Sequence, residues 1–274
     1  MPEILFYGFL DLPWWGYVLV VLALTQTTIA SVTLYLHRSQ AHLAVEFYPA
    51  LVHFFRFWLW LTTGMRTKEW VAIHRKHHAK CETVEDPHSP QVLGINRVLW
   101  GGVFLYVKES HKKETMECYG HGTPDDWVER NLYSRFTLFG PTLMGLIDVA
   151  CFGFPIGLPI LAIQLVWIPF WAAGVINGAG HYWGYRNFEP GKYPHVYQSR
   201  NLWQRAFWIG GEELHNNHHQ YPASARFSVK RYEFDLGWSY IRILESLGLA
   251  FVKRAYDPDT GCVVEYREPQ TSPP

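Results

Sequence analysis

The sequence predicts an all-α integral membrane protein: three transmembrane helices at about 13–36, 136–156 and 159–181, an interfacial helix at about 47–65, and a cytoplasmic helical cap carrying clustered histidines. Three observations carry this expectation. Two long stretches are almost free of charge: Leu12 to Leu36 has none, and Phe136 to Gly180 has only Asp148. All 24 Lys and Arg fall after His37, 13 of them from Arg38 to Arg135 and 11 from Arg186 to Arg267. Nine of the 14 histidines sit in short clusters beside the apolar stretches. A mean hydropathy of −0.08 conceals this segregation, and a net charge of zero removes the electrostatic case for a nucleic-acid partner.

The first span has Trp14, Trp15 and Tyr17 at its start and Tyr35 at its end, which suits the aromatic belts of a bilayer. No cationic segment or small-residue cleavage site precedes it, so it reads as a retained anchor. Phe47 to Met65 is apolar, yet His53 and Arg56 lie mid-segment, where lipid would penalise the charge; the segment therefore reads as lying in the interface. The stretch from Phe136 to Gly180 is long enough for two spans. Helix breakers in Gly153-Phe154-Pro155-Ile156-Gly157-Leu158-Pro159 divide it into a hairpin, with Asp148 inside the first helix and expected to reach water or a polar neighbour. Both basic blocks then face the cytoplasm, with the N-terminus and the hairpin turn outside. Cys81, Cys118, Cys151 and Cys262 show no C-x-x-C spacing, so neither a zinc ribbon nor a disulfide framework is expected. Residues 1–274 read as a single domain with a polar tail over 255–274.

The histidines are the most informative feature. On a helix, residues at i, i+3 and i+4 share one face, so His74, His77 and His78 can converge, as can His215, His218 and His219. Asn177 and His181 share a face near the end of the last span. His37 and His42, five apart, leave one α-helical face and can act together only if the helix ends or bulges between them. Nine imidazoles are too many for one ion and imply two metals. Without thiolate spacing or the carboxylate-rich E-x-x-H pattern of a carboxylate di-iron bundle, an all-histidine di-iron site is preferred. Isolated His53, His111, His121 and His195 read as surface residues, and His88 in Asp86-Pro87-His88 as turn chemistry or support for a ligand. The carboxylates adjoining the clusters, Glu69, Asp86 and Glu212, are candidates for orienting imidazole N–H groups.

In this order, His37 to His42, Glu69-Trp70, His74 to His78, Glu82-Thr83, Asp86-Pro87-His88, Asn177, His181, Gly184-Tyr185-Arg186 and Gly211-Glu212 before His215 to His219 resemble the membrane fatty acyl desaturases of the animal stearoyl-CoA type and their bacterial relatives. The resemblance runs from about His37 to Lys253. It implies two iron ions (Fe2+/Fe3+) held by His37, His42, His74, His77, His78, His181, His215, His218 and His219, with Asn177 acting through a water. It also implies that O2 is activated there and that two hydrogens leave neighbouring methylenes of a fatty acyl chain. Electrons would come from a ferredoxin or a cytochrome b5-type protein with its reductase, and the setting would be a bacterial inner membrane.

Departures from the family concern the substrate. Ala72 and Ile73 stand where the animal enzymes have an Arg and an Asp that contact CoA, Met65 where a substrate-holding Asn is found, and Ala173-Gly174 where a Thr-Trp pair bends the tunnel. Trp70, Ala173 and Gly174 are the candidate tunnel residues, and CoA, acyl carrier protein and membrane lipid all remain as acyl carriers. Two kinds of rival stand beside desaturation: acyl or alkane hydroxylation or alkyne formation at the same site, and a non-enzymatic membrane metal-binding protein.

Overall fold

The computed structural model describes residues 6–193 and 196–266; His195 and the end of the tail lie outside them. The chain is mostly helical, with short two-stranded ladders that the all-α expectation left out. Among the described residues, two helices are long and apolar enough to cross a membrane, α1 (Trp14–Ala41) and α6 (Phe139–Ala179). Between them come α2 (Pro49–Thr63), α3 (Thr67–Lys80), α4 (Ile95–Ser110) and α5 (Lys113–Tyr119); α7 (His215–Gln220) and α8 (Leu236–Ser246) follow.

The hairpin in α6 forms differently from the expectation. It turns at Gly153 alone, with φ 70° and ψ 166°, so the arms are 139–152 and 154–179. Pro155 and Pro159 therefore lie inside the second arm. Pro155 falls in the first turn, where an N–H has no helical acceptor to lose. Glycine is required at 153 because a Cβ there would strike the Phe6 carbonyl as well as strain the positive φ. The arms pack antiparallel: a Cβ on Gly157 would lie 2.5 Å from the Asp148 carbonyl oxygen, and Gln164 Nε2 donates to Asp148 Oδ2 at 2.8 Å. Asp148 thus finds its polar neighbour in the facing arm.

Helix α2 packs against both long elements. Trp58 Nε1 donates to Thr28 of α1 at 3.0 Å, and Trp60 Nε1 to the Phe136 carbonyl at 2.9 Å. Arg56 is 4% exposed rather than water-facing, and its charge is met by Asp126 (2.6 and 2.9 Å) and Glu129 (3.1 Å). The feature that suggested an interfacial position is thus neutralised inside the protein.

Two devices fasten the C-terminal half onto α1. Val45–Phe47 pairs antiparallel with Ala250–Val252. Arg38, fully buried, donates to Asp235 (2.9 Å), to the Ala225 carbonyl (3.0 Å) and to the Gly210 carbonyl (3.2 Å), and stacks on Phe227. The first part of the segment read as a polar tail, up to residue 266, is ordered into strands. Arg254–Asp257 and Cys262–Glu265 form an antiparallel hairpin, docked through an Ala225 N–H to Arg254 carbonyl bond of 2.8 Å. The β-branched pair Val263-Val264 and the turn glycine Gly261, at φ 70°, are the local reason for it.

Gly157→Val should force the arms apart, costing about 1–3 kcal/mol through overpacking, and lower the unfolding temperature in detergent. An unchanged melting curve would contradict the packing assigned to this glycine.

Candidate metal centre

Each histidine cluster reaches the centre by a different local device. Over Ser31–Ala41, α1 is wound as a π-helix, and the His42 N–H donates to the His37 carbonyl at 3.1 Å. A π turn closes between i and i+5, which returns two residues five apart to one face. Their rings consequently lie 4.9 Å apart. Ordinary α-helix suffices for His74, His77 and His78 in α3 and for His215, His218 and His219 in α7. Residues 169–179 of α6 are again π-wound, and His181 follows directly.

The imidazoles gather into two adjoining groups. The ligand nitrogens of His37, His42, His74, His78 and His218 all lie within 4.8 Å of one another. Inside this group, Nε2 of His37 is 3.1 Å from that of His218, His42 2.8 Å from His74, and His218 2.9 Å from His78. In the second group, Nε2 of His215 is 3.0 Å from that of His181 and 3.1 Å from that of His219, and His77 is 3.4 Å from His219. Nitrogens bound about 2.1 Å from one ion stand about 3.0 Å apart along an octahedral edge and about 3.4 Å along a tetrahedral one. The spacings fit that geometry. A nitrogen such as His218 Nε2, with several such neighbours, cannot satisfy all of them by sharing one proton.

The protonation states suit metal binding as well. Burial pushes His42, His74, His78, His215, His218 and His219 well below the ordinary imidazole value of 6.5, and neighbouring imidazoles push the same way. His181 is lowered by burial too, with Glu82 opposing. Neutral imidazole is the form that donates a lone pair to a metal.

Carboxylates hold three of the rings by the other nitrogen. Glu212 Oε2 is 2.7 Å from His37 Nδ1, and Asp86 Oδ1 is 3.0 Å from His77 Nδ1. Asp86 is held well below the carboxylate range: burial opposes ionisation, but His77 and the His88 N–H outweigh it. Glu82, to which the sequence reading gave no role, lies 3.3 Å from His181 Nδ1 and accepts from the Gln198 N–H at 2.8 Å. It adopts a positive φ of 59°, and its place directly after the second cluster is the signal that was available. Glu69 goes elsewhere. It pairs with Arg66 at 2.7 Å and, among the described residues, touches no imidazole, because the guanidinium three residues earlier, just before α3, competes for it.

The asparagines between the histidines of α7 also escaped the sequence reading. Asn201 Oδ1 accepts from the N–H groups of Asn216 and Asn217, while Asn217 Nδ2 donates to Glu233 at 2.8 Å and to the Phe227 carbonyl at 2.9 Å. They anchor the back of a helix whose front carries three imidazoles. Cys81 Sγ lies within 4.8 Å of the nitrogens of His77, His181 and His219, 4.0 Å from His77 Nε2, and burial pushes its thiol up. His88 lies beside His77, its ring centroid 4.4 Å away and tilted by 31°, and burial lowers it to about 3. His53, His111 and His121 are exposed.

A cavity of about 710 Å³ ends on this centre, with His37, His74, His215, Glu212 and Asn177 in its wall. Most of the remaining wall is apolar, including Val32, Ile73, Val103, Ile168 and Ala172. Trp70 lines it and lies flat on His74, 4.9 Å away at 17°; Ala173 and Met65 line it as well. Gly174 is not in the wall. A Cβ there would strike the Leu99 carbonyl, so it is a packing residue between α6 and α4.

Residues 12–244 match the family model described as fatty acid desaturase. The chain belongs to the fatty acid desaturase family. Within it, 80% of the chain is 30% identical to a probable lipid desaturase, chloroplastic, of Arabidopsis thaliana, covering 58% of that protein. An acyl-CoA 5-desaturase of Anemone leveillei is 29% identical over 80% of the chain and 65% of its own length. An sn-1 stearoyl-lipid 9-desaturase of Synechocystis is 34% identical over 66% of the chain and 54% of its own length. The chain therefore spans little more than half to two thirds of these family members.

Two measurements bear on this centre. Glu212→Gln keeps the shape but weakens the hold on His37, and should lower metal affinity roughly 10- to 100-fold in a competition assay with a chelator; unchanged affinity would remove Glu212 from that role. Because the buried imidazoles are neutral when folded and protonate once released, metal retention and thermal stability should be level above about pH 7 and decline as pH falls through 6.5. Tighter retention in acid would refute this sign.

Proposed function

We propose that the protein is a fatty acyl desaturase. The observation that carries the reading is an apolar cavity of about 710 Å³ whose inner end is two adjoining sets of imidazoles. His37, His42, His74, His78 and His218 would hold one iron and His77, His181, His215 and His219 the other, with Asn177 in the wall beside them contributing through a water. When bound, the irons supply O2 activation and the removal of two hydrogens from adjacent methylenes of an acyl chain, with two electrons from a ferredoxin or cytochrome b5-type donor and its reductase.

The chain's own residues do the rest. Glu212, Asp86 and Glu82 keep His37, His77 and His181 oriented through their Nδ1 atoms, which is how outer partners tune a metal site. The apolar wall excludes water and restrains a flexible chain, so that one carbon pair faces the centre. Trp70, wedged flat against His74, limits how the chain bends there. As carrier we favour membrane lipid over CoA and acyl carrier protein. The support is that Ala72 and Ile73, where the animal enzymes carry charge, are buried apolar groups, and that relatives named lipid desaturases are among the most similar. In the membrane we place α1 and both arms of α6, with the clustered histidines and C-terminal half on the cytoplasmic side of a bacterial inner membrane.

Expression with a ferredoxin and its reductase, followed by mass spectrometry of total lipids, tests the reading. New double bonds are expected, with about two irons per chain, and His218→Ala should abolish them while the protein still inserts. Hydroxylated or triple-bonded acyl chains would assign the rival oxidation, and a chain that binds metal but alters no lipid would assign the non-enzymatic reading.

A further inference from the structure

Helix α4 lies across the C-terminal part of α6 through a small-residue contact: Gly102 sits against the Ala173 carbonyl and Gly174 against that of Leu99. Its opposite side is neither packed nor polar. Trp100 is 69% exposed, Phe104 74% and Val107 47%, at i, i+4 and i+7, one unbroken stripe. A water-facing helix does not normally show two large aromatics in such a row. Trp100 also contacts Phe170, 5.8 Å between ring centroids, so the stripe continues the exposed apolar flank of the second α6 arm, where Val166 is 62% exposed. Exposed basic residues frame it, Arg97 at one end and Lys108 and Lys113 at the other.

The same helix borders the opening of the cavity. Wall residues that are also exposed mark where a cavity meets its surroundings, and here they are Val107, His111, Leu138 and Leu165. Three of the four are aliphatic, one on α4, one at the entry to the first α6 arm and one on the second arm. Phe136 and Phe139, 48% and 56% exposed, extend that lip.

We infer that α4 is an interfacial helix whose Trp100, Phe104 and Val107 lie in the boundary between lipid headgroups and acyl chains, and that the gap it forms with Leu138 and Leu165 is a lateral portal between cavity and bilayer. The occupant of this surface is membrane lipid. Apolar area along one face and cations at its ends are what such a helix needs. The portal rests on the desaturase reading of the cavity; the position of α4 does not.

Spin labels at Phe104→Cys, Leu146→Cys and Glu114→Cys, each with Cys118, Cys151 and Cys262 replaced by Ser, separate the outcomes in the iron-loaded protein in phosphatidylglycerol vesicles. Leu146 is an exposed residue of the first α6 arm, and Glu114 an exposed one on α5. The label at 104 should be reached by O2 and shielded from an aqueous nickel chelate, as at 146 and opposite to 114. Accessibility like that at 114, or a concentration-dependent spin coupling that reveals a second copy on this face, overturns the inference. For the portal, Leu138→Trp should reduce product from vesicle-borne lipid roughly tenfold with iron content unchanged. Undiminished product overturns it, whereas a wild-type protein that yields none counts against the desaturase reading and leaves the accessibility result standing.

Discussion

Nine imidazole nitrogens held edge to edge inside a protein are the constraint on which the rest of this structure depends. Lone pairs about 3 Å apart repel unless a cation lies among them, and six of the rings, those of His37, His77, His181, His215, His218 and His219, are buried. The fold must therefore supply rigidity from behind. The π-wound end of α1 brings His37 and His42 to one face, carboxylates grip three Nδ1 atoms, and Asn216 and Asn217 fasten α7 to Asn201 and Glu233. Arg38, buried directly beside His37, ties the same turn to the C-terminal half. A buried Arg–Asp pair is weak evidence for net stability, but it sets register, and register is what a multi-helix metal centre requires.

Charge is handled by the same logic elsewhere. Arg56 is tolerated in an apolar helix because two carboxylates from the 126–129 segment meet it, and Asp148 because Gln164 faces it across the hairpin. The apolar surface left over is concentrated on α1, on the flanks of α6 and on the outer stripe of α4. The cavity runs beneath that last helix toward the imidazoles, so access to the chemistry and contact with lipid are arranged around one element.

The two clusters with i, i+3, i+4 spacing were legible because that periodicity is a local property of the helix. So were the adjacent carboxylates Glu212 and Asp86, which need only a short reach. Glu69 was misplaced since adjacency in sequence does not say which of two neighbours a carboxylate prefers, and Arg66 was nearer. Glu82 and the asparagine cradle depend on residues 99 and 116 positions away for the former, and on Asn201 and Glu233 for the latter, pairings that no local pattern encodes.

By itself the sequence determined the helical character, the two long apolar stretches and which histidines of α3 and of α7 share a helix face, because hydropathy and helical spacing act over one or two turns. The tertiary structure decided where the hairpin turns, since only Gly153 could take the positive φ against Phe6. It also decided how His37 and His42 meet, since a π turn is stabilised by what packs around it. Above all it decided how nine histidines gather into two adjoining groups. That division follows from which helix faces which, and it depends on contacts such as His37–His218 and His78–His218 between side chains more than a hundred residues apart.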